Sequence, residues 1–337
     1  MEFHFAQPQT EFEKFFGGHF YINAIGPIRA GDAARFRDFL IFHEPPPRLT
    51  VYIDSVGGEV ADAIEMGRLI RGHWYATAVG QYQMQSDHKT NLFVSRDLID
   101  GRCMSAATLM YLGGRLRYLS EGSTFGVHQF SLKDPRPENY ILSQQLSARI
   151  AKYVFEMGIS ADFLELSAST ASDSIFRVEH STLKEMKVVT GGETEANWSV
   201  QALQGAMYVR GGRDSLFGHH KVMLGFHKEF GFYFHAVIES QGREDELTSF
   251  GLVEIVINGE EIRLDISRRC VRDVFGIYVN IKTLISEEEA KMIAFSDSFG
   301  VQVRFSSDAD LFFGISAVDT AGGQDQLQSL FATCSSN

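Results

Sequence analysis

The chain has 337 residues, 44% hydrophobic and 22% charged, which is globular composition with length for about two domains. Its formal charge of −12, without a Lys/Arg cluster, excludes the basic footprint of a nucleic-acid binder. No apolar run is long enough to span a bilayer, so no membrane-crossing helix is expected. The opening stretch, MEFHFAQPQTEFEKFF, is polar and acidic with no apolar signal core. That pattern points to the cytoplasm, or to the periplasm if a leader has been removed.

In chain order, residues 20–25 read as a strand ended by Gly26-Pro27, and Asp32 is placed to N-cap a helix running to about Phe42. Pro45-Pro46-Pro47 is a stiff connector into a buried strand at 49–54, LTVYID. Ser55-Val56-Gly57-Gly58 follows at once. A helix over 58–71 then carries Val60, Ala63, Ile64, Gly67 and Ile70 on its apolar side, before a strand at 74–79. This β-α-β-α-β order predicts a parallel sheet with crossover helices. The Gly57-Gly58 turn frees backbone N–H groups and allows close approach of a ligand, or is an ordinary tight turn. Residues 81–100 are mostly polar with an apolar patch, Leu92-Phe93-Val94. They read as a flap, a partner surface or a hairpin.

Residues 101–129, GRCMSAATLMYLGGRLRYLSEGSTFGVHQ, concentrate the candidate chemistry. Ser105 heads a short apolar helix at 106–112, which Gly113 and Gly114 end through a left-handed cap. Two β-type runs follow at 116–119 and 124–128, and the second ends on His128. A serine at a helix N-terminus lies where unpaired N–H groups favour an oxyanion, and a histidine at a strand end supplies a base. The ordinary alternatives are a helix N-cap for Ser105 and a satisfied core histidine for His128. Residues 139–157 form an amphipathic helix with Ile141, Leu142, Leu146, Ile150, Tyr153 and Val154 on one face. Residues 168–187 place Asp173 in a Ser-Asp-Ser turn before a helix at 178–186, with Asp162 the nearest alternative acid.

Residues 190–197 are a linker by composition. Beyond it, short alternating runs at 205–209, 221–227, 231–239, 252–257, 261–266, 271–277 and 301–305 are split by Gly, Asn and Asp. Ile257-Asn258-Gly259-Glu260 is a hairpin signal. The stretch 198–337 therefore reads as an antiparallel β domain, a sandwich or open barrel, with helices at 286–296 and 324–331. His227 and His235 share a face if they lie on alternating strands, with His219-His220 nearby. No carboxylate or cysteine has ligand spacing to them, so no metal is expected. Cys103, Cys270 and Cys334 make neither a disulfide framework nor a CxxC site, and a Cys270–Cys334 bridge requires an oxidising compartment.

Three of these segments together resemble one family. SVGGEVADAIEMGRLIR is similar to the SPGG segment of the Clp protease proteolytic subunit (ClpP), GRCMSAATLMYLGG to its nucleophile segment, and GVHQF to its histidine segment. They stand in the family's order with similar spacing. The resemblance to the ClpP/crotonase superfamily covers residues 20–190 and extends to bacterial ClpP-like proteins, often exported, that carry an added C-terminal domain.

The resemblance implies an α/β fold, a β-α-β spiral domain over 1–190. It implies a serine peptidase with Ser105 as nucleophile, His128 as general base and Asp173 as the orienting acid. The oxyanion hole would use the N–H groups of Gly58, with Gly57 beside it, and of Ala106. It further implies a peptide or protein substrate added as a strand beside the glycine loop, no cofactor, and a homo-oligomer. The β domain would serve regulation or partner docking. The chain departs from the family pattern at Val56, which replaces the turn proline, at Lys187-Val188-Val189, which replaces Gly-Leu-Ile, and in the length of residues 81–100. The alternatives are a catalytically silent scaffold of the same fold, a Ser–Lys dyad using Lys89 or Lys133, and a crotonase-type acyl-CoA enzyme.

Overall fold

The computed structural model describes residues 1–15, 18–85, 92–129 and 140–335. The chain divides into two compact units, Met1–Gly191 and Gly192–Asn337, each with its own apolar core.

The first unit is mixed α/β. Its elements in order are β1 (Glu2–Ala6), α1 (Glu11–Phe15), β2 (Tyr21–Ile25), α2 (Asp32–His43), β3 (Thr50–Asp54), α3 (Val60–Gly72), β4 (Ala76–Val79), β5 (Gln81–Met84), β6 (Arg96–Ile99), β7 (Arg102–Met104), α4 (Ala106–Leu112), β8 (Arg117–Tyr118), β9 (Thr124–Val127), α5 (Tyr140–Glu156), α6 (Asp162–Ser169), β10 (Phe176–Arg177) and α7 (His180–Glu185). One sheet has the order β1-β2-β3-β4-β8, a second β10-β9-β7, and β5–β6 is a separate hairpin. Strands β2, β3, β4 and β8 run parallel, as do β7 and β9. The parallel strands are apolar because helices cover them: Ile22, Ala24, Val51 and Ile53 are fully buried beside Phe36, Ile64, Leu109 and Tyr153.

Several sequence expectations need correction. Strand β1, absent from the sequence reading, adds antiparallel to β2 at the sheet edge. Asp32 is the first residue of α2, not its cap; Gly31 holds the cap position with φ 88°. Gly113 does not take a left-handed cap, since its φ is −63°. Its glycine identity comes from packing instead, because a Cβ there would lie 2.2 Å from the Gly67 carbonyl oxygen on α3. Helix α5 buries only the C-terminal part of the predicted stripe. Ile150, Tyr153 and Val154 are inside, whereas Ile141 and Leu142 are exposed.

The insertion is the β5–β6 hairpin, with Gln81 opposite Ile99 and Met84 opposite Arg96. Several side-chain contacts fasten it, two of them paired or buried. The Asn23 side chain donates to the Tyr82 carbonyl and accepts the Tyr82 N–H, both at 2.9 Å, standing in for a strand neighbour. A buried ion pair, Arg96 Nη1 to Glu13 Oε1 at 2.7 Å, ties the hairpin to α1.

The second unit comprises β11 (Asn197–Leu203), β12 (Ala206–Ser215), β13 (Gly218–His227), β14 (Gly231–Glu239), α8 (Glu244–Ser249), β15 (Leu252–Ile257), β16 (Ile262–Asp265), β17 (Val271–Phe275), β18 (Tyr278–Leu284), α9 (Glu287–Ala294), β19 (Ser298–Arg304), β20 (Phe313–Asp319) and α10 (Gln324–Ser335). Two antiparallel sheets have the orders β11-β12-β13-β14-β18-β17 and β16-β15-β19-β20. Their inward residues, among them Leu224, Phe234, Ile281, Ile255 and Val301, form one core with Ile293 of α9 and Leu330 of α10. The Asn258-Gly259 turn does join β15 to β16, with φ of 52° and 62°. The strands absent from the sequence reading are β11, β18 and β20; a glycine interrupts β20, whereas neither glycine nor charge interrupts β11.

Candidate active site

The site is assembled where three strand ends meet. Strand β3 runs into Ser55, which continues beside β7: Ser55 N–H donates to the Arg102 carbonyl, and Met104 N–H donates to the Ser55 carbonyl at 3.0 Å. Strands β7 and β9 are parallel, with Met104 opposite Gly126. Ser105 and His128 therefore leave adjacent parallel strands at their carboxyl ends, the position where α/β sheets commonly place ligands. The Ser105 N–H donates to the Gly126 carbonyl at 3.0 Å, which fixes the serine to the histidine strand.

Ser105 Oγ lies 2.7 Å from His128 Nε2. The serine adopts φ 54° and ψ −129°, an unusual pair for a residue with a Cβ, and its side chain makes no helix-capping bond. The N-cap reading of Ser105 is thereby replaced. The backbone turns the hydroxyl away from the helix and toward the imidazole, at a conformational cost of roughly 1–3 kcal/mol. Both side chains are half-buried, within reach of a ligand.

The glycine turn lies against the serine. A Cβ on Gly57 would sit 2.7 Å from Ser105 Cβ and 3.0 Å from the Ala106 nitrogen. Gly57 and Gly58 have φ of 97° and 142°, in the region that favours glycine. Ser55 Oγ accepts the Gly57 N–H at 3.1 Å, and the Gly57 carbonyl accepts from Ile28 at 2.8 Å. The N–H groups of Gly58 and Ala106 donate to no partner among the described residues. The turn is thus braced without spending the two N–H groups that could receive an oxyanion. Val56, the proline replacement, is half-exposed at the rim, and the turn keeps its glycine conformations without it.

Asp173 is exposed, and no hydrogen bond or ion pair joins it to His128. It sits in the loop between Thr170, whose carbonyl accepts the Gln129 N–H at 2.9 Å, and Phe176, which pairs with Val127. Both ends of the Asp173 loop are thereby attached to the strand that carries His128. Asp162 instead accepts from Ser160 Oγ at 2.8 Å at the start of α6. Lys89 and Lys133 lie outside the described residues.

Cys103, two residues before Ser105, is no rival nucleophile. Burial, and secondarily the Asp54 charge, push its thiol well above the ordinary range. All three cysteines are free, so Cys270 and Cys334 form no bridge. Among the described residues no three His, Cys, Asp or Glu side chains converge as metal ligands. His227 and His235 do share a face, but His235 stands opposite Met223, which is four positions, roughly 13 Å, from His227 along β13.

Sequence reasoning missed two supports of this site. Ser55 braces the turn, and its only signal was its place between strand and glycines. Buried Arg117 donates to the carbonyls of Gly114, Lys187 and Val188 at 2.7, 2.7 and 2.8 Å, tying the α4 end to the segment after α7. A lone arginine in the apolar run 116–119 was the available signal. No family model matches this chain, and no curated protein matches it. Among the described residues no helix is long and apolar enough to cross a membrane.

Proposed function

We propose that the first unit is a serine peptidase of ClpP-like, β-α-β spiral type. The observation that carries this reading is the 2.7 Å contact of Ser105 Oγ with His128 Nε2 beside two unspent backbone N–H groups. Ser105 Oγ attacks the peptide carbonyl carbon while His128 Nε2 takes its proton. The carbonyl oxygen gains the negative charge and is received by the N–H groups of Gly58 and Ala106, each worth about 3–4 kcal/mol of transition-state stabilisation. His128 then gives its proton to the leaving amine, which departs and leaves an acyl-serine. Water, deprotonated by His128, reverses the sequence and frees the acid.

Asp173 holds the imidazolium when its tethered loop folds inward. Its exposed position favours a second reading, a scaffold whose triad is silent. The reading includes a peptide or protein substrate, a homo-oligomer, a cytoplasmic or periplasmic setting, and regulatory docking by the second unit.

Fluorophosphonate labelling of the full chain separates the two readings. Labelling of wild type, lost in Ser105→Ala and His128→Ala and slowed about tenfold or more in Asp173→Asn, is the expected result. Wild-type labelling no greater than that of Ser105→Ala would establish the silent scaffold.

A further inference from the structure

The six-stranded sheet of the second unit has two unlike faces. Along β12, β14 and β18, buried residues alternate with half-buried or exposed ones, whereas β13 is buried throughout 222–225. The buried set forms the core. The other set is polar and aromatic, and its register fixes which side chains are neighbours.

Arg210 stands opposite Met223, and Lys221 stands opposite Gly212, so the two cations are diagonal neighbours on β12 and β13, roughly 7–8 Å apart at Cα. Both are half-buried. Among the described residues neither has a carboxylate partner. The acids of this face are engaged elsewhere: Asp214 with His219 at 3.0 Å, Asp273 with Lys282 at 2.8 Å, and Glu239, which accepts the His219 N–H at 3.0 Å. Burial, then the charge of Arg210, lowers the Lys221 pKa. Two cations without a carboxylate partner among the described residues, Lys221 also lying over the Tyr278 ring at 5.8 Å, are thus held side by side in a chain whose acidic residues outnumber its basic ones, 43 to 31.

One row along, two tyrosines flank Gly225. Tyr208 and Tyr233 both pair with it, and a Cβ on Gly225 would lie 2.2 Å from Tyr233 Cζ, so the ring lies over the glycine. Burial, then Tyr208, raises the Tyr233 pKa, keeping it a neutral ring.

We propose that this face binds a small phosphorylated ligand bearing a flat ring, with its phosphate between Arg210 and Lys221 and its ring against Tyr208 and Tyr233. A phosphate monoester carries about −1.5 to −2 charge at neutral pH, which matches two cations, whereas a single carboxylate leaves one uncompensated. The arginine fork supplies paired donors to phosphate oxygens, and the tyrosines supply a stacking surface. The site lies within the second unit and does not depend on the reading of Ser105.

Calorimetric titration of the full chain with phenyl phosphate, adenosine monophosphate, inorganic phosphate and adenosine tests this. At least one ring-bearing phosphate should bind tenfold or more tighter than inorganic phosphate, with adenosine silent, and binding should weaken with salt. Arg210→Ala and Lys221→Ala should each weaken it at least tenfold, while Lys282→Ala, whose ammonium already pairs with Asp273, should leave it unchanged. Arg210→Lys and Lys221→Gln repeat the comparison if an alanine variant fails to fold, Trp198 fluorescence reporting folding. The proposal is overturned if neither ring-bearing phosphate binds, if inorganic phosphate binds as tightly, or if the Arg210 and Lys221 variants bind like wild type.

Discussion

Replacing Glu13 by glutamine probes the fastening of the insertion hairpin, and its effect has a pH signature. Glu13 and Arg96 are 0% and 1% exposed, with 2.7 Å between Oε1 and Nη1. The Arg96 hydrogen bond, opposed by burial and helped by the N–H groups of Gln9 and Val94, holds the Glu13 carboxyl at about 2, against an ordinary 4.5. A folded-state pKa below the unfolded value stabilises the fold above the unfolded pKa, and this contribution is lost as pH falls through the folded one. By linkage the contribution is about 3 kcal/mol at pH 7, less than half of that at pH 3, and mostly gone by pH 2. Removing one partner of a buried pair leads to a similar figure, roughly 3–5 kcal/mol, because Arg96 is left without its counter-charge. Each unit holds one tryptophan, Trp74 in the first and Trp198 in the second. Urea unfolding of Trp198→Phe, with and without Glu13→Gln, therefore reads the first unit alone. The expected gap between the variants is about 3 kcal/mol at pH 7 and less than half of that at pH 3. A gap that is unchanged between pH 7 and pH 3, or below about 1 kcal/mol at pH 7, would refute the ion-pair account.

Two further substitutions test close approach. Gly57→Ala puts a methyl 2.7 Å from Ser105 Cβ and 2.7 Å from the Met104 carbonyl at φ 97°, so fluorophosphonate labelling should slow at least about a hundredfold with a stability loss of only about 1–3 kcal/mol. Labelling at the wild-type rate would show that the glycine turn does not shape the site. Gly113→Ala should instead lower thermal stability strongly, by about 2–4 kcal/mol, since its methyl meets Gly67 backbone at 2.2 Å between α3 and α4. An unchanged melting temperature would contradict that packing.

The sequence carried the strand–turn–helix periodicity of residues 49–71 and the small-residue run after Ser105, because both reflect local rules. It also carried strands 231–239, where burial alternates, and 252–257, a nearly continuous apolar run, to their ends. It did not carry β1, an edge strand whose side chains are mostly half-exposed and so lack a strong burial pattern. Nor could it show why Gly113 is glycine, because the answer lies in Gly67, forty-six positions away on another helix. The Glu13–Arg96 pair was invisible for the same reason: nothing local distinguishes a buried charge from a solvated one.

The serine shows how a local rule can fail informatively. Serine before an apolar helix ordinarily caps it, which requires an extended backbone and a hydroxyl turned toward the first turn. Ser105 has neither, and the surrounding chain enforces the exception. Its N–H is held by Gly126, its Cβ is admitted only because Gly57 has none, and its hydroxyl meets His128 at 2.7 Å. A cap worth about 1 kcal/mol is given up for a strained conformation, so the local energetics run against stability in two ways at one residue. Such a concentration of cost, braced from β3, β7 and β9 together, is what supports the proposed nucleophile reading over that of a structural serine.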